Sequence, residues 1–401
     1  MSGAEGPAPG VGGRPSGRRI VHVSDCYAPR TGGIESQVRD LARAQAARGD
    51  EVHVLTATRG TDGEHGGRVQ DDGGVLVHRL GMPVPFDLPV NPAAPPHMRR
   101  LLEELRPDVV HVHAGVVSPF AFDGARVALA AGVPVAVTWH CMLDGMVPTL
   151  RTVVRRTAWS TAPVALSAVS RAAAERVSDI FRARVDVLPN GMDLDRWAPR
   201  VGAVPRQAGP PAPQPLRCVA TMRLAPRKRG PALVGLVEDA LTQLPPGALR
   251  LDVLGDGPAR STMQRRITRR GMDDVVHLRG RVAREQVREA YDDAEVFVAP
   301  AVLEAFGIAA LEARTAGLVV VARRGTGIEE FVEDERDGLL VSSDTGMARA
   351  LVRLATDRDL LASLRGYATR HRPVFDWSFA LAAGDDQYGR ARVLRDVAAG
   401  S

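Results

Sequence analysis

The segment AEVFVAPAVLEAFGIAALEA, residues 294–313, contains an apolar run, a short turn and a second apolar run. The run VFVAP is short and rich in β-branched and aromatic residues, which predicts a buried strand, whereas FGIAALEA is predicted to begin a helix. Glu304 ends the strand region, and Glu312 lies a turn or more further on, inside the helix. Ligands of open parallel sheets bind beyond the carboxyl ends of the strands, so this unit is predicted to carry part of a site.

The same alternation of strand and helix runs through the rest of the chain. Alternation of this kind predicts parallel sheets covered by helices, and therefore an α/β protein built from two Rossmann-like, doubly wound domains. The predicted strands are RRIVHVSD, EVHVLTAT, DVVHVHA, VPVAVTWH, TAPVALSAVS and RVDVLPNG in the first half, and LRCVATM, LRLDVLG, VVHLRG, AEVFVAP, LVVVAR and GLLVS in the second.

Composition and proline content predict the domain boundaries. Residues 1–17 are rich in Gly, Pro and Ala and are predicted to be a disordered tail. One domain is expected over residues 18–198 and another over 216–376, with the Pro-rich stretch 199–215 as the linker between them. The last segment, 377–401, is predicted to form a helix that packs back on the N-terminal domain. A chain of 401 residues is long enough for two cores.

Bulk composition narrows the class of protein. The chain is 45% hydrophobic and 25% charged with a formal net charge of +5, so its surface is either simply Arg-rich or suited to an anionic partner. Cys26, Cys141 and Cys218 lie far apart, which argues against a disulfide framework or a zinc site. The chain shows neither an apolar signal segment nor a membrane-spanning run, so a cytoplasmic location is expected.

Two glycine-rich or basic turns follow predicted strands. Gly32 and Gly33 in RTGGIES precede a helix, which suggests either an anion site at its N-terminus or a loop that needs a positive φ. Arg223 and Lys228 in RLAPRKRG follow the first strand of the second half, where they would either bind a diphosphate or form a solvated basic turn. His140 ends VPVAVTWH, at an edge where a functional side chain is expected, although a lone His is often structural.

The carboxylates of the segment 294–313 are suited to accept hydrogen bonds from hydroxyl groups of a ligand. Glu304 and Glu312 could each accept hydrogen bonds from a sugar or ribose, and the backbone N–H groups of Phe306, Gly307 and Ile308 would point out of the helix N-terminus. Helix capping is the alternative for Glu304, but capping does not explain Glu312, which is too far into the helix.

Other motifs do not support a dehydrogenase or a metal site. GDGPAR, residues 255–260, lacks the third glycine of a dinucleotide-binding loop. His111 and His113 share a strand face without a carboxylate cluster nearby, which favours a structural role. The DLD sequence at 193–195 is likewise interpreted as structural. No metal ligand is therefore assigned.

Taken together, these motifs resemble the retaining glycosyltransferases of the GT-B fold, family 4. The resemblance is collinear from about residue 18 to beyond residue 380. Met222 in place of a usual Gly, the additional Arg229 and the WHC sequence around His140 depart from the family pattern. The matching segments are GGIE at 32–35, LPNGMD at 188–193, MRLAPRKRG at 222–230, the E-x7-E pair Glu304 and Glu312, and GIEEFVEDERDGLLV at 327–341.

The resemblance implies two domains that face each other across a cleft, with the acceptor bound by the N-terminal half and a nucleotide sugar by the C-terminal half. It further implies retention of the anomeric configuration and a reaction without a divalent metal or other cofactor. By this resemblance, Arg223 and Lys228 would bind the diphosphate, and the Gly32–Gly33 loop would also contact the phosphates. Glu312 would bind the ribose. Glu304 and the amides of 306–308 would bind the sugar hydroxyls, and His140 would contact the donor sugar.

A looser likeness, in PVPFDLPVN and HMRRLLEELRPDVVHVH, is to the phosphatidylinositol mannosyltransferase type. The acceptor is left open as a lipid, a glycan or a small metabolite. A non-enzymatic nucleotide- or phospholipid-binding protein and a nucleotide-sugar epimerase of the same fold are the alternatives. Basic stretches at 97–102 and 151–159 suggest peripheral contact with an anionic membrane or simply solvated helix faces. No nucleic-acid partner is expected.

Overall fold

The computed structural model describes residues 17–30, 32–84, 88–199 and 214–400. Most of the predicted tail, residues 1–16, and most of the predicted linker, residues 200–213, lie outside the described residues. The chain forms two compact units. One contains the residues up to 113, 118–136 and those from 390 onward, and the other contains 114–117 and 137–389. The domain boundaries predicted above stay a prediction.

The strands of the first half form an eight-stranded sheet. Its strands are β1 (Arg19–Ser24), β2 (Glu51–Thr56), β3 (Arg68–Asp71), β4 (Val75–Arg79), β5 (Val109–Ala114), β6 (Val135–Trp139), β7 (Val164–Ala168) and β8 (Val185–Val187). They have the order β3-β4-β2-β1-β5-β6-β7-β8. Strand β1 pairs in parallel with β2 and β5, whereas β3 runs antiparallel to β4.

The β3–β4 hairpin was not predicted. Strand β3 has four residues and is largely exposed, so it lacks the apolar run that marks a buried strand. The turn between the strands contains Gly73 and Gly74, both with positive φ, which is the better indication of a hairpin in the sequence.

The second half forms a six-stranded, all-parallel sheet, and all six predicted strands are present. Its strands are β9 (Leu216–Thr221), β10 (Leu249–Leu254), β11 (Val276–Gly280), β12 (Val296–Ala299), β13 (Val319–Arg323) and β14 (Gly338–Val341). The order is β11-β10-β9-β12-β13-β14. The predicted α/β class with two parallel-sheet domains is therefore confirmed.

Helices alternate with these strands. They are α1 (Gly33–Ala47), α2 (Ala94–Leu105), α3 (Pro119–Ala130), α4 (Val147–Arg155), α5 (Arg171–Phe181), α6 (Leu194–Trp197), α7 (Gly230–Leu241), α8 (Arg260–Arg269), α9 (Arg284–Asp293), α10 (Ile308–Thr315), α11 (Asp344–Thr356), α12 (Arg358–Arg370) and α13 (Trp377–Ala399). Short 3₁₀ turns occur at Ala158–Ser160, Pro226–Lys228 and Gly327–Glu330. Among the helices described, none is both long and apolar enough to cross a membrane.

The core of the second sheet fixes the ends of two neighbouring strands. Strand residues such as Leu251 and Val298 pack with Leu233 of α7 and Leu351 of α11, all fully buried. Each such side chain contributes about 1.5–3 kcal/mol through removal from water. Strands β9 and β12 are adjacent in this sheet, with Val296 in register with Cys218. The turn after β9 and the segment after β12 therefore begin side by side.

Helix α13 contacts the segment that carries the PNG sequence. Gly191 leaves no room for a side chain, since a Cβ there would lie 2.6 Å from Trp377 and 2.9 Å from Ala380. Gln387 donates to Asp186 at 2.7 Å. The glycine of LPNGMD thus permits close packing of the C-terminal helix.

Candidate active site

The basic turn after β9 carries four cations, and Arg223 and Arg229 have different surroundings. Arg223 is exposed, and no described residue accepts a hydrogen bond from its guanidinium. Arg229 donates to both carboxylate oxygens of Asp344, at 2.8 and 2.7 Å, and to the carbonyl of Pro300 at 3.2 Å. Arg229, the residue additional to the family pattern, therefore clamps the turn to the sheet and to α11, while Arg223 stays available.

Lys228 and Glu304 form an ion pair, in which Nζ donates to Oε2. Both side chains are half-buried. The sequence predicted one for a diphosphate and the other for sugar hydroxyls, and the structure brings the two together. The carbonyl of Glu304 also accepts from the backbone N–H of Gly327 at 2.8 Å, so the segment after β12 is held in place from both sides.

Helix α10 starts at Ile308, later than predicted. Gly307 precedes it with φ +92°, and a Cβ at this position would lie 2.8 Å from Cγ1 of Ile328 and 3.3 Å from Cγ of Glu304. Only glycine fits a left-handed backbone in such a confined place. No side chain caps α10, so the capping interpretation of Glu304 is wrong.

The N-terminus of α10 offers a row of backbone donors. Within the described parts of the chain, none of the amides of residues 306–310 has a hydrogen-bond acceptor. The predicted donors Phe306, Gly307 and Ile308 are thus joined by Ala309 and Ala310. The ring of Phe306, by contrast, is buried against Phe331 and Phe375, so only its backbone could face a ligand.

Glu312 lies deeper in α10 and is 9% exposed. Its Oε1 accepts from Nη2 of Arg284, the first residue of α9, at 3.3 Å. Burial raises the pKa of Glu312 to about 7, and the charges of Arg284 and Arg196 oppose that rise. The environment of Glu312 is therefore distinct from that of Glu304, whose carboxylate is half-buried and paired with a lysine.

His140 follows β6, and its backbone N–H donates to the carbonyl of Ala114 at 3.0 Å. Burial lowers the pKa of His140 to about 4, so the imidazole is neutral near pH 7. Burial raises the pKa of the neighbouring Cys141 to about 12, and the charge of Arg227 opposes this shift. The His140–Cys141 segment is therefore within electrostatic range of the basic turn.

Gly32 and Gly33 form the start of α1. Gly32 is extended, with φ 179°, and a Cβ there would lie 2.3 Å from Oε2 of Glu35. Gly33 has no atom within 4 Å of a Cβ position. The expectation of a loop with positive φ is wrong for Gly32, because its backbone is extended; the nearest group to a Cβ there is the carboxylate at the end of the flexible Glu35 side chain.

The buried histidines of the first unit form hydrogen-bonded groups. His22 shares a hydrogen bond of 2.9 Å with His113 and donates to Gln45 at 2.7 Å, and His111 lies beside both rings. Burial lowers the pKa of His22 to about 4. The grouping found in the described residues comprises three imidazoles without a carboxylate, and neutral imidazoles that bond to one another fit the structural role predicted for this strand.

Asp193 of the DLD sequence caps α6, since its carboxylate accepts from the backbone N–H of Arg196 at 3.1 Å. This is the structural role predicted for it. The residues that sequence reasoning missed are Arg284 and Asp344. Each is recognisable only through its partner in space, Glu312 for the first and Arg229 for the second.

Two family models cover most of the chain. Residues 31–196 match the model described as Glycosyltransferase Family 4, and residues 216–357 match the model described as Glycosyl transferases group 1. The D-inositol 3-phosphate glycosyltransferase of Streptomyces avermitilis is 30% identical, over 92% of this chain and 86% of its own. The GDP-mannose-dependent alpha-(1-6)-phosphatidylinositol monomannoside mannosyltransferase of Mycobacterium tuberculosis is 29% identical, over 90% and 94%.

Solved structures show the same fold. Anabaena HepE in complex with UDP-glucose superposes with a TM-score of 0.68 at 19% identity, over 92% of this chain and 99% of its own. The sucrose-phosphate synthase of Thermosynechococcus elongatus gives a TM-score of 0.70 at 21% identity, over 96% and 100%. The architecture is thus that of GT-B glycosyltransferases. The chain is a nucleotide-sugar glycosyltransferase, and it belongs to glycosyltransferase family 4.

Proposed function

We propose that this enzyme transfers a hexosyl group from a nucleotide-diphosphate sugar to an acceptor hydroxyl with retention of the anomeric configuration. The observation that carries the proposal is the Lys228–Glu304 ion pair beside the unpartnered amides of residues 306–310. A cation for phosphate, a carboxylate for hydroxyls and a row of backbone donors lie at one strand edge. A nucleotide sugar presents phosphate oxygens to a cation and to backbone donors, and sugar hydroxyls to a carboxylate.

The cations act on the leaving group. As the bond between the anomeric carbon and the diphosphate oxygen breaks, negative charge grows on the diphosphate, and Lys228 and Arg223 neutralise it. Arg223 is available because it is exposed and unpaired among the described side chains. Lys228 leaves its ion pair with Glu304 and binds the phosphate oxygens instead. These cations take the place of a divalent metal, so the reaction proceeds without one.

The carboxylates hold the two ends of the donor. Glu304, freed from Lys228, accepts hydrogen bonds from the sugar hydroxyls, while Glu312 accepts from the ribose. His140 is neutral near pH 7, so its imidazole can contact the donor sugar without placing a positive charge beside it. The backbone N–H groups at the Gly32–Gly33 start of α1 are proposed as further donors to phosphate oxygens.

For the acceptor we propose an inositol ring hydroxyl. The two relatives reported above are named for D-inositol 3-phosphate and for a phosphatidylinositol mannoside, and inositol is what these names share. The test is a matrix of UDP- and GDP-sugars against inositol 3-phosphate, phosphatidylinositol and free inositol, with products identified by mass spectrometry and the anomeric configuration by NMR. Transfer to an inositol compound with retention is expected. Inversion, or transfer only to acceptors without inositol, contradicts the proposal.

Contact with an anionic membrane is proposed as the route to a lipid acceptor. Helix α4 exposes Arg155, and Arg156 follows it, also exposed. The side chain of Val153 is 49% exposed beside them. Basic residues next to an apolar one favour an anionic lipid surface.

Vesicle co-sedimentation tests this contact. Replacing Arg155 and Arg156 with Glu should reduce binding to phosphatidylserine-containing vesicles, whereas the same charge change at the exposed Arg265 and Arg269 of α8 should not. Equal loss from both pairs would show a general charge effect instead.

A further inference from the structure

We propose that Arg284 is a positioning residue that keeps Glu312 ionised and turned toward the ribose diol of the donor. The proposal rests on the ribose role of Glu312 given above. The guanidinium of Arg284 reaches one carboxylate oxygen, Oε1, at 3.3 Å. No group in the described parts of the chain donates to the other oxygen, Oε2. The pair therefore leaves one oxygen of a buried carboxylate for a ligand.

The position of Arg284 is fixed by a second contact. Its guanidinium lies over the indole ring of Trp197, 5.7 Å from the ring centroid. Trp197 is 1% exposed and ends α6, so the ring cannot turn away. A cation held over an aromatic face is stabilised by the ring quadrupole. Arg284 thus lies between the buried ring of Trp197 and the carboxylate of Glu312.

Other charged groups around α10 do not replace Arg284. Arg196 on α6 acts on Glu312 only from a distance and is itself paired with Glu285 at 2.8 Å. The hydroxyl of Tyr291, on α9, bonds to Thr221 at 3.0 Å and to the carbonyl of Ala309 at 3.3 Å.

The remaining elements packed on α10 supply no alternative either. Strand β12 has no titratable side chain. On β13, Arg323 pairs with Asp344, and on α12, Arg358 pairs with Glu295. Of the cations described, Arg284 alone bonds directly to Glu312.

The consequence is a pH-dependent affinity for the nucleotide. A carboxylate accepts hydrogen bonds from both ribose hydroxyls, whereas a protonated carboxyl group loses acceptor capacity. Burial raises the pKa of Glu312 to about 7 with Arg284 in place. Affinity should therefore fall as the pH drops through about 7. Removal of Arg284 takes away a charge that favours the ionised form, so the fall should move to higher pH.

The experiment is calorimetric titration with UDP and GDP from about pH 6 to about pH 9, on the wild type, Arg284→Ala, Arg284→Lys and Glu312→Gln. For the nucleotide that binds, Arg284→Ala should weaken affinity about tenfold near neutral pH and recover at high pH. Arg284→Lys should retain most of the affinity. The matched control is Arg265→Ala, an exposed arginine of α8, which should bind as the wild type does.

A modified ligand isolates the ribose. With the 2′,3′-dideoxy form of the same nucleotide, the wild type and Arg284→Ala should bind equally, because the hydroxyls on which Glu312 acts are missing. The proposal is overturned if Arg284→Ala binds the intact nucleotide as the wild type does, or loses the same factor with the dideoxy form. It is also overturned if the loss is independent of pH. Thermal unfolding shows whether Arg284→Ala has a folding defect. If it has, Arg284→Lys is compared with the wild type instead, and the pH midpoint of its nucleotide affinity decides.

Failure of the underlying ribose assignment gives a different result. If Glu312→Gln binds the intact nucleotide as tightly as the wild type, Glu312 does not bind the ribose, whatever Arg284 does. If Glu312→Gln is weak and Arg284→Ala is not, only the inference about Arg284 fails.

Discussion

Lys228 and Glu304 form an ion pair although 76 positions separate them in the sequence. The pair exists because β9 and β12 are neighbours in the second sheet, so the turn after one strand meets the segment after the other. Each side chain thereby neutralises the charge of its partner within the chain. In the proposed mechanism, a bound diphosphate would compete with Glu304 for Lys228. Binding of the phosphates would then free the Glu304 carboxylate for the sugar.

The first prediction concerns Lys228. Lys228→Ala should weaken nucleoside diphosphate binding and lower kcat/KM by about 10²-fold, because a cation facing the leaving group is lost. Calorimetry and initial rates measure the two effects. Lys228→Arg restores the charge and should recover part of the loss. Unchanged binding by Lys228→Ala would exclude Lys228 from the phosphate site.

A second prediction separates the arginines of the basic turn. Arg223→Ala should leave the free energy of unfolding unchanged and weaken donor binding, since the exposed side chain has no partner in the described chain. Arg229→Ala should lower the free energy of unfolding by roughly 1 kcal/mol, because the contacts to Asp344 and Pro300 are lost. Urea denaturation and calorimetry on both variants check this. The reverse assignment of the two effects would contradict the account.

A third prediction concerns the protonation of His140. Burial lowers its pKa to about 4, below the ordinary value of 6.5, so the folded protein favours the neutral ring. The free energy of unfolding should therefore decrease as the pH falls below about 6.5, because His140 of the unfolded chain takes up a proton at higher pH than His140 of the folded chain. NMR titration of the His140 ring should give a midpoint well below 6.5. His140→Ala should lower kcat by about 10²-fold at pH 7. A midpoint near 6.5 would contradict the lowered pKa of His140.

A fourth prediction tests the glycine before α10. Gly307→Ala places a methyl group 2.8 Å from Ile328 on a backbone with φ +92°, which should cost about 1–3 kcal/mol of stability. It should also lower turnover, because Glu304 lies 3.3 Å from the same Cβ. Gly384→Ala in α13 is the control: no atom lies within 4 Å, and helix propensity should make it neutral or stabilising by up to about 1 kcal/mol. Equal stability of both variants would contradict the strained geometry at 307.

The sequence was informative wherever the signal was local. Alternating apolar strands and helices predicted most of the parallel strands of both sheets, and the segments that follow strands led to the proposed site residues Arg223, Lys228, His140 and Glu304. Strand β12 ends at Ala299, so Glu304 lies beyond the strand and not at its end as predicted. Glu312 lies inside α10, as predicted. The start of α10 was placed too early because a left-handed glycine and a helical one look alike in sequence. Strands β3 and β4 were both missed: β3 is short and exposed, whereas β4 (VLVHR) is largely buried and was overlooked as an apolar run.

Pairings in space were beyond the sequence for a different reason. Arg284 with Glu312, and Arg229 with Asp344, depend on how α9, α10 and α11 pack on the sheet, and arginines are too common in this chain to indicate a partner. Lys228 and Glu304 were each predicted, but their ion pair requires the strand order of the sheet.

The central claim is that the two carboxylates of the E-x7-E pair hold different parts of the donor. Calorimetric titration of Glu304→Gln and Glu312→Gln with the donor's nucleoside diphosphate, near pH 8 where Glu312 is ionised, tests it most directly. Glu304→Gln should bind the nucleotide as the wild type does, because that carboxylate faces the sugar. Glu312→Gln should bind it about tenfold more weakly or worse. Wild-type affinity in both variants, or the larger loss in Glu304→Gln, would contradict the account.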